Sequence, residues 1–590
     1  MLSRVLGILS RALRRAAGSR QGDGGTAPTG NENTLASARL ADAALAGYRK
    51  GARSEAERLC KEALALDAAN ARALTLSGSI ALDRGEIELA CATFDDILSR
   101  FPHHPDRADH LANAAEGKRR AGDWAAALTL AGQALARSPE HRGACQVSAY
   151  ALDSLGDGRQ AYDFFRRILQ ADPDDIALHS GLLSLLQRCP ILDARGVVQE
   201  HRAWGVRHAD PLSRDAAPHA NTREPERRLR VGYVSADLVW HAVGEFIDPV
   251  LRAHDRDRFE VHFYSNGTRS DALTAKLQQA ADGWHGIADM SDADAAAAIR
   301  MDGIDLLVDL SGHTQGNRLL LFAHKPAPVQ FTYLGYLGTT GLRAIDYRIS
   351  DIHSDPPGAC DDFYTERLLL LPYAQWCYQP PPGAREPGPA PSGERGYPVF
   401  GSFNNFMKVS PELAETWCAI LERVPAARLH IAGVPQAESA DWLLDAFEQR
   451  GIALDRIELL PRLPFARYLE EIRAVDIALD SFPQAGATTT CDTLWMGAPT
   501  VCLAGGCGAG RAGASILRTL DLDELVAASP QAYADIAACL AGNAARTQEY
   551  RRSLRGRMTA APFMQPERFT RDLEALYRRA WREYCRAPAA

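Results

Sequence analysis

The chain has 590 residues, 46% of them hydrophobic and 24% charged, with a formal net charge of -8. That length exceeds what one hydrophobic core serves, so three or more domains are expected. The mildly acidic balance excludes the basic footprint of a nucleic-acid binder, and no stretch approaches the run of about 18 apolar residues that spans a membrane, which predicts a soluble protein. Twelve cysteines are scattered with no CxxC pair, against a disulfide framework or a zinc site. Cys502 and Cys507 are the one close pair and read as reduced thiols, in keeping with a cytoplasmic protein.

The first twenty residues carry five arginines and no acid around the apolar stretch VLGIL. This is too short for a signal peptide and reads as a basic amphipathic arm, followed by a flexible link at GDGGTAP (22 to 28), so residues 1 to 34 stand apart from the fold. From about 35 to 190 the chain is rich in alanine and leucine, and similar segments recur. GARSEAERLCKEALALDAAN begins at Gly51, GEIELACATFDDILSRFPHHP at Gly85, GDWAAALTLAGQALARSPEH at Gly122 and GDGRQAYDFFRRILQADPDD at Gly156, in steps of 34, 37 and 34 residues. Pro102, Pro139 and Pro173 close the later units. A glycine turn, an amphipathic helix with small residues and a closing proline at this period resemble the tetratricopeptide repeat. Each helical pair leaves an apolar face that only its neighbour can bury, which predicts a stacked α-helical solenoid whose surface grips peptides. Phe164 and Phe165 read as packing residues.

A connecting helical segment follows over 191 to 228, and then the pattern changes. Short β-rich runs, RVGYVS (230 to 235), FEVHFYS (259 to 265), IDLLVDL (304 to 310) and PVQFTYLG (328 to 335), alternate with helical segments such as DALTAKLQQAA (271 to 281) and DADAAAAIRMDG (292 to 303). A second series, PVFGSF (398 to 403), RLHIAG (428 to 433), RIELL (456 to 460), VDIALD (475 to 480) and TVCL (500 to 503), lies beyond a linker with seven prolines at 379 to 398. Alternation of strand and helix predicts two doubly wound α/β lobes, at 229 to 378 and 399 to 580, with a ligand cleft at the carboxyl ends of their parallel strands. Nucleotide-sugar transferases of the GT-B type share this layout of two Rossmann-like lobes.

GATTTCDTLWMGAPT (486 to 500) leaves one apolar run and leads into the next. Thr488, Thr489 and Thr490 suit a helix interior poorly but suit its start, where threonine oxygens can cap unpaired N–H groups and the peptide dipole favours an anion. They serve either as caps alone or as a phosphate cradle. His313, in SGHTQGN just past a strand end, sits on a loop of the kind that binds ligands. DIHSD (351 to 355) offers metal-ligand residue types but reads better as loop chemistry.

RVGYVSADLVWHAVGEF (230 to 246), DLSGHTQGNRL (309 to 319), KPAPVQFTYLGYLGTTGL (325 to 342), GSFNNFMKVSP (401 to 411) and the threonine motif occur in an order that resembles the protein O-GlcNAc transferase and SPINDLY family. That family joins tetratricopeptide repeats to a GT-B region, and the resemblance covers roughly residues 35 to 580. It implies an inverting transferase that moves a sugar from a nucleotide diphosphate to Ser or Thr hydroxyls of proteins held by the repeats, with no metal and no other cofactor. It implies that Lys408 neutralises the departing diphosphate, with Asn405 beside it. Thr488 and Thr489 then receive the phosphates, Asp492 the ribose hydroxyls and Tyr468 the base, with His241 beside the reacting centre; Thr490, in the same run, and His313, on its ligand-binding loop, are counted with the donor-binding residues on their position alone. Animal O-GlcNAc transferases carry a histidine where this chain has Ala487, and FPQAGATTT (482 to 490) is closer to the SPINDLY type, some of which use GDP-fucose. UDP-GlcNAc is the expected donor. GDP-fucose is the alternative, and a repeat scaffold with inactive lobes is a third reading that intact Lys408, threonines and Asp492 oppose. The general base is left open between His241, a donor phosphate oxygen and water.

Overall fold

The computed structural model describes residues 32–214, 217–435, 437–506 and 508–588. The basic arm, the link at 22 to 28 and Cys507 lie outside these residues. The chain divides into two compact units between Asp172 and Pro173, with Pro435–Trp442 grouped with the first.

The first unit consists of helical hairpins: Glu32–Arg49 with Arg53–Leu66, Ala71–Asp83 with Ile87–Arg100, Arg107–Arg120 with Trp124–Arg137, and Arg142–Ser154 with Gly158–Ala171. Gly51, Gly85, Gly122 and Gly156 sit at the turn inside each hairpin with φ of 77 to 84°, a left-handed conformation that glycine adopts without a Cβ penalty. The repeat glycines thus mark the middle of each helical pair. Alanine fills the seams: Ala56, Ala63, Ala90, Ala127 and Ala131 are fully buried. Phe94 wedges against Gly78 and Gly117, where a Cβ on Gly78 would lie 2.6 Å from the ring. Phe165 is buried and meets Tyr150 edge-on at 5.2 Å.

Among the described residues of the second unit thirteen strands form two all-parallel sheets. The first holds β1 (Leu229–Ser235), β2 (Phe259–Ser265), β3 (Gly283–Gly286), β4 (Leu306–Asp309), β5 (Val329–Thr332), β6 (Tyr347–Asp351) and β7 (Arg367–Leu371), in the order β3-β2-β1-β4-β5-β6-β7. The second holds β8 (Val399–Ser402), β9 (Arg428–Ile431), β10 (Ile457–Leu459), β11 (Ile477–Leu479), β12 (Thr500–Leu503) and β13 (Val526–Ala527), in the order β10-β9-β8-β11-β12-β13. Both lobes are Rossmann-like. In each, chain order reverses once, between β1 and β4 and between β8 and β11, and a crevice opens beyond the strand ends at such a point.

Three further features shape the unit. The proline-rich stretch is laid along the second lobe, since Arg551 donates to the Pro387 carbonyl at 3.0 Å and Ala390 N–H to Gln548 at 2.7 Å. Helix Pro566–Arg586, whose residues to 580 the sequence places with the second lobe, packs on the first: Glu574 meets the buried His254 at 2.8 Å, and the hydroxyls of Tyr577 and Tyr233 are 3.2 Å apart. Helix Ile176–Leu186, at the end of the repeat-like sequence, belongs to this unit and covers the loops after β4 and β5, with Ser180 Oγ 3.2 Å from His313.

Candidate active site

The motifs converge on the reversal point of the second sheet. After β8 come Asn404, Asn405 and the turn Phe406–Lys408; after β11 come the loop from Asp480 and helix Thr488–Trp495. Lys408 is half-buried and donates one hydrogen bond, 3.0 Å, to the Ala485 carbonyl, which leaves two of its N–H bonds for a ligand. Burial lowers its pKa to about 8, with Asp480 pulling upward and Arg188 adding to the fall. An ammonium desolvated in this way is stabilised by an anion placed beside it. Asn405 is exposed at the crevice, its Oδ1 accepting from Met407 N–H at 3.2 Å.

Helix Thr488–Trp495 starts without a side-chain cap at Ala487. Ser410, Ser529 and Asp271 each accept from N–H groups of the helix that follows, whereas here the cap position falls on Ala487 and no threonine of the run occupies it. The threonines are therefore not serving as caps alone, and Thr488 and Thr489 stand half-buried beside helix-start N–H groups that an anion can accept. Thr490 departs from the expected donor-binding set. It is buried, and its hydroxyl donates back to the Gly486 carbonyl at 3.0 Å, as threonines one turn into a helix do.

Asp492 lies one turn along the same helix and is 4% exposed. Tyr378 donates to its Oδ1 at 2.8 Å and Tyr468 to its Oδ2 at 3.1 Å. Burial lifts this carboxyl to about 6 against the pull of the two phenols. Each oxygen keeps one further lone pair for a ligand hydroxyl. Tyr468 stacks on Phe465 at 5.9 Å, and Phe465 meets Trp240 of the first lobe at 6.0 Å across the cleft. Glu245 faces Asp492 from the first lobe, and burial, then this like charge, raises it to about 7.

His241 is half-exposed and caps helix Ala242–Ala253, its Nδ1 accepting from Val243 N–H at 3.3 Å. With Nδ1 an acceptor, the neutral ring carries its proton on Nε2 and presents a donor. His313, expected on the donor side, is placed differently. It is 2% exposed, and both ring nitrogens are engaged, with Ser180 Oγ at 3.2 Å and the Thr340 carbonyl at 2.8 Å. The covering helix Ile176–Leu186 turns this strand-end loop into a core.

DIHSD forms a lock between the lobes. Asp351 accepts from His353 and Ser354 N–H and from Ser515 Oγ of the second lobe at 2.7 Å; Asp355 accepts from Tyr364 OH and from Gly508 N–H at 3.0 Å. Their lone pairs are spent on the chain itself, and among the described residues no group of three or more His, Cys, Asp or Glu side chains is arranged to hold a metal.

Sequence reasoning missed Asn404, Asp480, Tyr378 and Glu245. Two had a local signal: Glu245 is four residues past His241 on one helix, and Asp480 closes a strand at the reversal point. Tyr378 had none, because it reaches Asp492 from the start of the linker.

The chain's residues 189–377 and 396–573 match the model of Glycosyl transferase family 41, and 118–186 match a tetratricopeptide repeat model. Among curated proteins it is similar to a probable UDP-N-acetylglucosamine–peptide N-acetylglucosaminyltransferase SPINDLY of Solanum lycopersicum, 38% identical over 66% of this chain and 42% of the relative. The SPINDLY protein of Oryza sativa is also 38% identical, over 72% and 46%. The chain thus spans less than half the length of these curated relatives. Among solved structures, an O-GlcNAc transferase mutant from Thermobaculum terrenum superposes with a TM-score of 0.76 at 36% identity, covering 94% of this chain and 99% of that one. On the match across both lobes and the similarity to that structure, the chain belongs to glycosyl transferase family 41.

Proposed function

We propose that this chain is a metal-independent, inverting protein O-glycosyltransferase that moves GlcNAc from UDP-GlcNAc to Ser or Thr hydroxyls of proteins recruited by the repeats. The observation that carries it is the convergence of Lys408, with two N–H bonds to spare, and an uncapped helix start at one strand-end crevice. In the reaction the acceptor oxygen forms a bond to the anomeric carbon from the face opposite the donor phosphate, and the bond from that carbon to the phosphate oxygen breaks. One such displacement inverts the anomeric centre. Negative charge grows on the departing diphosphate, where a fixed ammonium and helix N–H groups stabilise it without rearranging. The same groups support a reading without a metal. Asp492 suits the ribose hydroxyls, and His241 offers Nε2–H to an oxygen at the reacting centre. The acceptor proton then passes to a donor phosphate oxygen or to water. Unbridged cysteines such as Cys60, Cys145 and Cys418 support a cytoplasmic setting.

The names of the plant relatives support UDP-GlcNAc as donor. Ala487 favours a second reading, transfer of fucose from GDP-fucose. Incubating the full chain with each nucleotide sugar and a protein lysate, then weighing intact products, separates them. Addition of an N-acetylhexosamine supports the first reading and a deoxyhexose the second; no added mass from either donor would refute both.

A further inference from the structure

Asp480 has no part in the family resemblance set out above, yet it is the most connected group behind the crevice. It directly follows β11 and is 2% exposed. Its Oδ1 accepts three N–H bonds: from Asn404 Nδ2 at 3.0 Å, from Ser481 N at 2.8 Å and from Gly486 N at 2.8 Å. Asn404 comes from the loop after β8, which also carries Lys408. Ser481 and Gly486 bracket the loop whose Ala485 carbonyl receives Lys408, and the Gly486 carbonyl in turn receives Thr490 of the helix start. Every element of the cradle is therefore tied to one oxygen atom. The other oxygen is packed against Gly513 and Cys502, where a Cβ on Gly513 would overlap both the carboxylate and the sulfur. The carboxylate cannot move back; burial raises it above the ordinary carboxylate range, and against that the Gly486 N–H, the Lys408 charge and Asn404 favour the charged form.

We propose that Asp480 is the positioning residue of the diphosphate cradle: it fixes the Lys408 loop against the Thr488 helix start, and its charge keeps Lys408 an ammonium. This rests on the nucleotide-sugar reading above and adds a residue that touches no substrate. The charged and titratable groups facing Lys408 are Asp480 and Arg188; those facing Asp480 are Lys408, Cys502 and Tyr533, whose hydroxyl donates to the Asp480 carbonyl at 2.8 Å. Among the described residues Asp480 is thus the one anion that raises the lysine, and Arg188 acts against it.

The test is calorimetric titration of UDP and GDP into the full chain from about pH 6 to 9, for the wild type, Asp480→Asn and Lys408→Ala. Wild-type affinity should fall as pH rises through about 8, where Lys408 loses its proton. In Asp480→Asn that fall should start about one pH unit lower, leaving binding about twofold weaker near pH 7 and approaching tenfold weaker by about pH 9, while Lys408→Ala removes the step. An unchanged midpoint and affinity in a folded Asp480→Asn would overturn the proposal. Should that variant lose its melting transition, Asn404→Ala carries the test: it cuts one of the three ties and should weaken diphosphate binding several-fold, and unchanged binding would overturn the proposal. Failure of the wild type to bind either diphosphate would strike the nucleotide-sugar reading instead.

Discussion

Lys408 carries the chemistry at the scale of single residues. Its replacement by Ala removes a charge from a crevice and little packing, so the protein should melt as before while turnover falls on the order of a hundredfold or more. A circular-dichroism melt paired with initial rates checks both halves. The free enzyme needs the ammonium, which persists below a pKa of about 8, so kcat/KM for the donor should decline as pH rises through that value. Tyr378→Phe deletes one of two phenols that stabilise the ionised Asp492, whose carboxyl already stands at about 6. Its pKa should climb further, so the acid limb of donor binding should move toward neutrality and affinity at pH 7 should drop several-fold, about 1 kcal/mol. Affinity measured against pH in this variant reads the shift. The placement of Lys408, Asn405, Thr488 and Asp492 at one crevice was legible in the sequence because each follows the end of β8 or β11. Thr490 and His313 were misplaced for a shared reason: whether a loop polar group faces a ligand or the core depends on what covers it, and no local spacing encodes that.

At the scale of elements, the runs at 230 to 235 and 259 to 265 became β1 and β2 almost residue for residue, since central parallel strands are buried on both faces and read as apolar runs. β3, β6, β7 and β13 left weaker traces. β3 is a short edge strand reading GWHG, and β6 hides a fully buried Arg348 in YRISD. Arg348 donates through Nη1 to the Tyr336 and Gly338 carbonyls and lies over the Tyr364 ring, contacts that only the folded loop supplies, while its buried Nε and Nη2 have no hydrogen-bond partner among the described residues. The segment from Ile176 to Ala209 closes over the first lobe through buried imidazoles. Burial holds His201 and His208 at about 4 and His313 well below 6.5. A ring kept neutral when folded lets the unfolded chain bind protons first. Its contribution is therefore full above the unfolded value of 6.5 and is lost as pH falls toward about 4. His201 and His208 each carry on the order of 3 kcal/mol over that window. Urea unfolding at a series of pH values should show the loss, and His201→Gln should flatten it; equal slopes in the two proteins would refute the assignment.

At the scale of the whole molecule, the boundary between the two units at Asp172 makes truncation informative. Removing residues 1–172 keeps helix Ile176–Leu186, whose Ser180 and Leu183 engage His313 and Tyr336. This shortened chain should melt with one cooperative transition and bind nucleotide, while modification of full-length protein acceptors falls steeply. Removing residues 1–190 strips that cover and should lower the melting temperature by several degrees or more. Equal melting of the two truncations would show that the helix contributes nothing to the second unit. On the proposed function, the crevice between β8 and β11 reads a diphosphate through Lys408 and the helix start. Calorimetric titration of UDP, GDP and the two parent nucleosides into the wild type and Lys408→Ala tests it most directly. One of the diphosphates should bind the wild type about a hundredfold or more tightly than its nucleoside, and Lys408→Ala should erase most of that advantage. Nucleosides binding as tightly as the diphosphates, or an advantage that survives the loss of Lys408, would contradict it.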